Sequence, residues 1–185
     1  MNRMRFGQKV NVELIKGDAI MRNELKFKGK FQIEHIRKGK VINKFDLNNG
    51  VVDEGLDAIL DIMFHDATKI STWYIGLVDN SGFTGFSSSD TMSSHSGWNE
   101  STAYTESNRV EWTEGAASGQ SITNSTPVTF NMNATATIKG IFIVSNNTKG
   151  GTSGTLWSTA AFASTVSVNN GDQLKITYTL NAAQA

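Results

Sequence analysis

Residues 174–180 read Leu174-Lys175-Ile176-Thr177-Tyr178-Thr179-Leu180. Leu174, Ile176, Tyr178 and Leu180 fall on one face of an extended chain, with Lys175, Thr177 and Thr179 on the other. A period of two marks a strand with one face in a core and one in solvent. Residues 25–36 read the same way. Phe27, Phe31 and Ile33 share a face opposite Lys26, Lys28, Lys30, Gln32 and Glu34. Lys38-Gly39 is a tight-turn signal into a second strand over residues 40–47, which Asn48-Asn49-Gly50 ends. Further short apolar runs lie at 73–78, 109–112, 128–132, 138–144 and 156–158. Asn146-Asn147, Gly150-Gly151 and Asn169-Asn170-Gly171-Asp172 punctuate the later ones. Many short strands with Gly/Asn turns predict a mainly β chain folded as a two-sheet β-sandwich, the jelly roll being one form of it.

One segment departs from the β pattern. Between residues 52 and 65, Leu56, Ile59, Leu60, Met63 and Phe64 recur at i, i+3, i+4, i+7 and i+8, the stripe of an amphipathic helix. Asp53 and Glu54 sit in its first turn, where carboxylates complement the helix dipole. The stripe is expected to pack on the sheet. Trp73 to Val78 is a nearly unbroken apolar run, as a strand buried on both faces requires. No internal repeat, heptad or linker interrupts residues 21–185, which predicts a single domain.

Residues 79–103 have neither periodicity nor proline. Connections longer than about 12–15 residues are uncommon in compact domains and are either functional or disordered. A disordered segment has no use for Phe83, Phe86, Met92 and Trp98, followed by Tyr104. These side chains predict an ordered loop that packs on its own domain or on a neighbour.

Composition sets bounds on chemistry. With no cysteine, disulfides, thiolate metal sites and cysteine nucleophiles are excluded. No apolar run approaches the roughly 18 residues of a membrane helix, and the basic N-terminal start is followed by no apolar signal core, so no membrane association is expected. Net charge is zero but unevenly placed: residues 1–50 hold 12 Lys/Arg against 5 Asp/Glu, and residues 51–185 hold 5 against 12. Solvent-facing lysines on strands account for this in the ordinary case. Functionally, a basic face would meet an acidic partner or the acidic part of a neighbouring copy. The lysines are not interleaved with stacking aromatics, so nucleic acid is not an expected partner.

The three histidines, His35, His65 and His95, lie in no G-x-S-x-G, H-E-x-x-H or S-x-x-K arrangement. No sequence pattern selects a glycosidase acid pair among Asp79, Asp90, Glu100 and Glu106. Calcium-loop and phosphate-loop patterns are also absent. The expectation is a protein without catalytic residues, metal or cofactor. His95, with Asp90 and Glu100 nearby, reads as a loop organiser that bonds a backbone group while Trp98 anchors the loop.

The run Trp73–Asn80, then residues 90–100 (DTMSSHSGWNE), then Tyr104 and Arg109, resembles a family of small structural proteins of tailed bacteriophages. Residues 48–56 (NNGVVDEGL), 138–143 (IKGIFI) and 150–157 (GGTSGTLW) are similar to that family in the same order, and the likeness spans roughly residues 21–182. The resemblance implies a virion component on the capsid surface, assembled in the bacterial cytoplasm. It would be a capsid decoration or cement protein bound to the major capsid protein, and a homo-oligomer with a trimer favoured. On that reading Phe83, Phe86, Met92, His95, Trp98 and Tyr104 are candidates for an interface loop. Lys26, Lys28, Lys30, Arg37, Lys38 and Lys40 are candidates for a capsid-facing surface. A tail, neck or baseplate module contacting a receptor or glycan is the alternative, and a glycan hydrolase ranks last.

Residues 1–20 fall outside the resemblance. They read as an N-terminal arm or as an extension from an upstream start, since Lys16-Gly17-Asp18 can be encoded as a ribosome-binding sequence just ahead of the Met21 codon. The second reading expects the natural protein to have an intact mass that begins at Met21; a mass that includes residues 1–20 rejects it.

Overall fold

The computed structural model describes residues 25–184; the arm and the Met21 start lie outside them. The first and last strands form the axis of one sheet. β1 (Leu25–Arg37) and β11 (Gln173–Gln184) pair antiparallel through twelve residue pairs, from Leu25 opposite Gln184 to Ile36 opposite Gln173. β2 (Lys40–Asn48) returns along the other edge of β1. The turn between them holds Lys38 and Gly39 at φ of +51° and +73°, left-handed values that match a hairpin to strand twist. On the far side of β11 lie β7 (Ser121–Thr123) and β8 (Val128–Asn131).

The second sheet runs β3 (Gly50–Val51), β10 (Leu156–Val168), β9 (Ala136–Val144), β4 (Tyr74–Asp79). β5 (Asn99–Ser101) and β6 (Val110–Glu111) share the outer edge of β4. All pairings are antiparallel, and the predicted mainly β, two-sheet sandwich is the observed architecture. Strands β3, β5 and β7 are two or three residues long and mostly polar, too short to show a period in sequence. β10 runs ten residues beyond the predicted 156–158, to Val168. Its Ala/Ser/Thr content and a register irregularity between Ala161 and Val166 hide the alternation.

The inward faces supply one core: Phe31 and Ile33 from β1 and Leu174, Ile176 and Tyr178 from β11 meet Ile75, Leu77, Ile141 and Ile143 of the other sheet. Tyr178 is its polar centre. Its hydroxyl accepts from Asn49 Nδ2 (3.0 Å) and Trp157 Nε1 (3.1 Å), while its ring meets Phe31 and Trp112 at 4.5 and 5.2 Å. A second cluster covers the outer face of the other sheet: Val78, Phe142 and Val144 under Met92 and Trp98, with Phe83 and Phe86 alongside. β4 is therefore apolar on both faces, as its sequence predicts. Gly76 makes room for this, because a Cβ there would run into the Phe142 ring.

The helix, α1 (Asp53–Phe64), forms where predicted but turns the other way. Gly55 is pressed on Trp157, and its Cβ would stand 2.6 Å from the Trp157 carbonyl oxygen. Glu54 Oε2 accepts the Leu156 N–H at 2.7 Å. These two contacts set the rotation of the helix, and only Ile59 of the stripe packs on the core. Leu56, Leu60, Met63 and Phe64 are 40, 56, 65 and 81% exposed, so the expected stripe-to-sheet packing does not occur.

At the opposite end of β1 a buried carboxylate ties that strand to the turn between β10 and β11. Asp172 accepts from Arg37 Nε (2.8 Å) and Nη2 (2.7 Å), from the Asn169 N–H (2.8 Å), and lies 2.8 Å from His35 Nε2. The Arg37 guanidinium, then the Asn169 N–H and His35, hold its carboxyl well below the usual carboxylate range, against the opposing effect of burial. A carboxyl depressed in the folded state adds stability that is complete above the unfolded value near 3.9 and is lost as pH falls through the folded value. Asp172→Asn should therefore lower stability at pH 7 and flatten its decline below about pH 4. Urea denaturation at pH 7 and pH 3 reads both, and an unchanged acid slope would remove Asp172 as the cause.

Candidate functional site

The long loop was the part of the sequence closest to a site. It lies over the outer face of the β4-containing sheet. Trp98, fully buried, stands 5.0 Å from Phe142 and 5.7 Å from Phe86, and Phe83 closes the row at 5.1 Å from Phe86. Burying a tryptophan costs little only if its N–H finds a partner. Trp98 Nε1 donates to Asp90 Oδ2 at 2.9 Å, and the same oxygen takes the Ser87 N–H at 2.9 Å. The His95 ring stacks on Trp98 at 3.9 Å, its Nδ1 lying 3.1 Å from the Trp98 carbonyl oxygen. His95 thus bonds a loop backbone group beside an anchoring tryptophan, the arrangement expected of a loop organiser. The Ser88 carbonyl accepts the Asp53 N–H at 2.8 Å, so the loop also satisfies an N-terminal donor of α1.

The carboxylates that sequence could not rank all have structural partners. Asp79 accepts the Ser81 N–H (2.7 Å), and Glu106 accepts from Asn131 Nδ2 (2.6 Å). Glu100 is held bidentate by Arg109, Nε to Oε1 at 3.0 Å and Nη2 to Oε2 at 2.8 Å. Both side chains are buried. Arg109 also donates to the carbonyls of Asn146 (2.9 Å) and Gly151 (2.6 Å), and Glu100 takes the Gly150 N–H at 2.8 Å. The Tyr104 hydroxyl donates to Glu100 Oε1 at 3.4 Å. Burial, then the Glu100 charge, push its pKa up, so it remains a neutral donor. Sequence reasoning gave Glu100 no partner; the long-range approach of residues 146–151 was not visible in it.

Of the interface-loop candidates, Met92, Trp98 and Tyr104 are therefore in the domain's own core, which removes them as a surface for a neighbour. Phe83, Phe86 and His95 are half-buried. The basic candidates do not form one face. Lys26, Lys28 and Lys30 occupy the outward positions of β1, with Lys30 paired to Asp46 and Lys44 to Glu34, each at 2.7 Å. Arg37 turns onto Asp172, while Lys38 and Lys40 sit at the exposed hairpin tip.

Of the grooves on the described surface, two differ most in character. One, about 750 Å³, is polar, with Asp79, Asn80, Thr102, Asn133 and Thr137 around it. The other, about 420 Å³, is apolar and runs beneath α1, where Phe27, Trp73, Trp112 and Trp157 meet Ile59 and Met63.

The Arg109–Glu100 pair offers a direct test of the loop lock. Arg109→Met leaves a carboxylate buried and unpaired, at a cost of about 3–5 kcal/mol. Adding Glu100→Gln should make the double variant less destabilised than the sum of the singles by at least about 1 kcal/mol. Urea titrations of the four proteins measure this, and strict additivity would mean that the two groups stabilise independently. Compared with known proteins, the chain matches no family model and no curated protein.

Proposed function

We propose that this chain is a non-enzymatic structural protein of a tailed-phage particle, a capsid decoration or cement protein that binds the major capsid protein and stabilises the head. The observation that supports it is where the distinctive residues sit. Trp98, Asp90, His95, Glu100, Arg109 and Gly150, all within the segments that resemble phage structural proteins, are spent on locking one loop onto one sheet. A module that survives on a particle surface needs that rigidity more than it needs a reactive group. The outward lysines of β1, Lys26 to Lys30, are the proposed capsid-facing strip, with the hairpin tip left for contacts between copies of a homo-oligomer.

The polar groove near Asp79 and Asn133 favours one second reading, a glycan-contacting module of the tail or neck. Copy number separates the two. Quantitative mass spectrometry of purified particles should find hundreds of copies for a decoration protein, against roughly 6–18 for a tail or neck component. Attachment through the lysine strip should also weaken as salt rises; a low count rejects decoration, and salt-independent attachment rejects the strip.

A further inference from the structure

We propose that copies of this chain associate head to tail, the tip of the β1–β2 hairpin of one docking on the exposed face of α1 of the next. The outward arc of α1 consists of two neighbouring rows at i, i+4 spacing. Leu56, Leu60 and Phe64 form one, and Asp53, Asp57 and Asp61 form the other; all six are exposed. The helix itself carries no basic residue; His65, just past its end, lies 3.2 Å by Nδ1 from Asp61 Oδ1, and Asp53 and Asp57 make no ion pair among the described residues. An apolar stripe edged by one sign of charge is, among the described residues, an unpartnered surface.

The hairpin tip is its chemical complement. Val41 and Ile42 are adjacent in a strand and so point to opposite faces, yet both are exposed, 46 and 42%. The tip projects because the pairing with β11 stops at Ile36, which leaves residues 37–40 beyond the third strand and Val41, opposite Ile36, at its margin. Lys38 and Lys40 flank the two apolar side chains, and neither makes an ion pair among the described residues. The outer edge of β2 has no strand partner among the described residues.

Charge selects the pairing. Helix against helix would set two acidic rows together, and tip against tip would do the same with lysines; only tip on helix joins opposite charges around an apolar centre. Phe27, beside the helix groove, and Arg37, at the tip, are ten residues apart on one strand, about 33 Å. Different surfaces at opposite ends make the contact heterologous, which builds a ring where the rotation closes and a filament where it does not. This deepens the homo-oligomer part of the function proposed above and does not depend on the particle, so the virion count and the association test can fail separately.

Sedimentation velocity of the full chain, with circular dichroism to confirm folding, tests it. Wild type should associate, more weakly at high salt, and Leu60→Asp and Val41→Asp should each weaken association about tenfold or more. Mixing these two variants is the deciding measurement, since each keeps the surface that the other lacks. The mixture should form a pair that stops at two copies. A wild type that is monomeric at every concentration overturns the proposal. So does a mixture that stays monomeric, and so does either variant that alone associates as wild type, which would indicate like surfaces pairing.

Discussion

The buried pair of Arg109 and Glu100 ties β5, residue 109 and the 146–151 turn together where water is excluded. One sheet of the sandwich is apolar on its outer face as well as its inner one, because Val78, Phe142 and Val144 point away from the main core. Left bare, that face would be an exposed hydrophobic surface. A loop can cover it only if the loop's own polar groups are satisfied where water is excluded. Arg109 takes two carbonyls of the 146–151 turn, Glu100 takes an N–H of the same turn, and the pair joins that turn to β5. With four guanidinium hydrogen bonds and both carboxylate oxygens engaged, the ion pair can offset its desolvation; with a single partner removed it cannot. The guanidinium also lies over the Phe142 ring at 5.2 Å, so the polar lock and the apolar cover share a residue.

The strands with clean alternation were legible because their environment is simple: one face meets the core and the other meets water. β1 and β11 are of that kind, and both were read correctly from residues such as Phe31, Ile33, Ile176 and Tyr178. β4 was legible for the opposite reason, its unbroken apolar run reflecting cover on both faces. α1 was legible as a helix but not in its orientation. Periodicity reports which residues share a face, and cannot say which face a neighbouring tryptophan will claim. Gly55, which lies outside the apolar stripe, became the contact because only a residue without Cβ lets the backbone approach Trp157 so closely.

The same distinction explains the long loop. Its aromatics were rightly read as evidence of order, and His95 beside Trp98 as an organiser of that order. What sequence could not show was the partner. Asp90 lies eight residues from the indole that it receives, and Glu100 nine from its arginine, distances that suggest many geometries and select none. Glu100 also draws in Gly150, fifty residues away, through a contact that only the folded sheet creates. Asp90, Trp98, Glu100, Arg109 and Gly150, the distinctive residues of these segments, are thus the residues of a lock.

Once the loop, the two clusters and the Asp172 knot are accounted for, the surfaces that remain are limited by geometry. The outer face of the β4 sheet is covered by its own loop, and the outer face of the β1 sheet is charged, with part of that charge neutralised in place by Asp46 and Glu34. Apolar surface without cover is left at the two ends of β1, on α1 at one and on the hairpin tip at the other. Exposing a stripe of Leu56, Leu60 and Phe64 forgoes part of the roughly 1.5–3 kcal/mol that full burial contributes per side chain. Among the described residues, a fold that closes two cores and still leaves that stripe in water keeps it beside a row of carboxylates, the charge that a basic partner would complement.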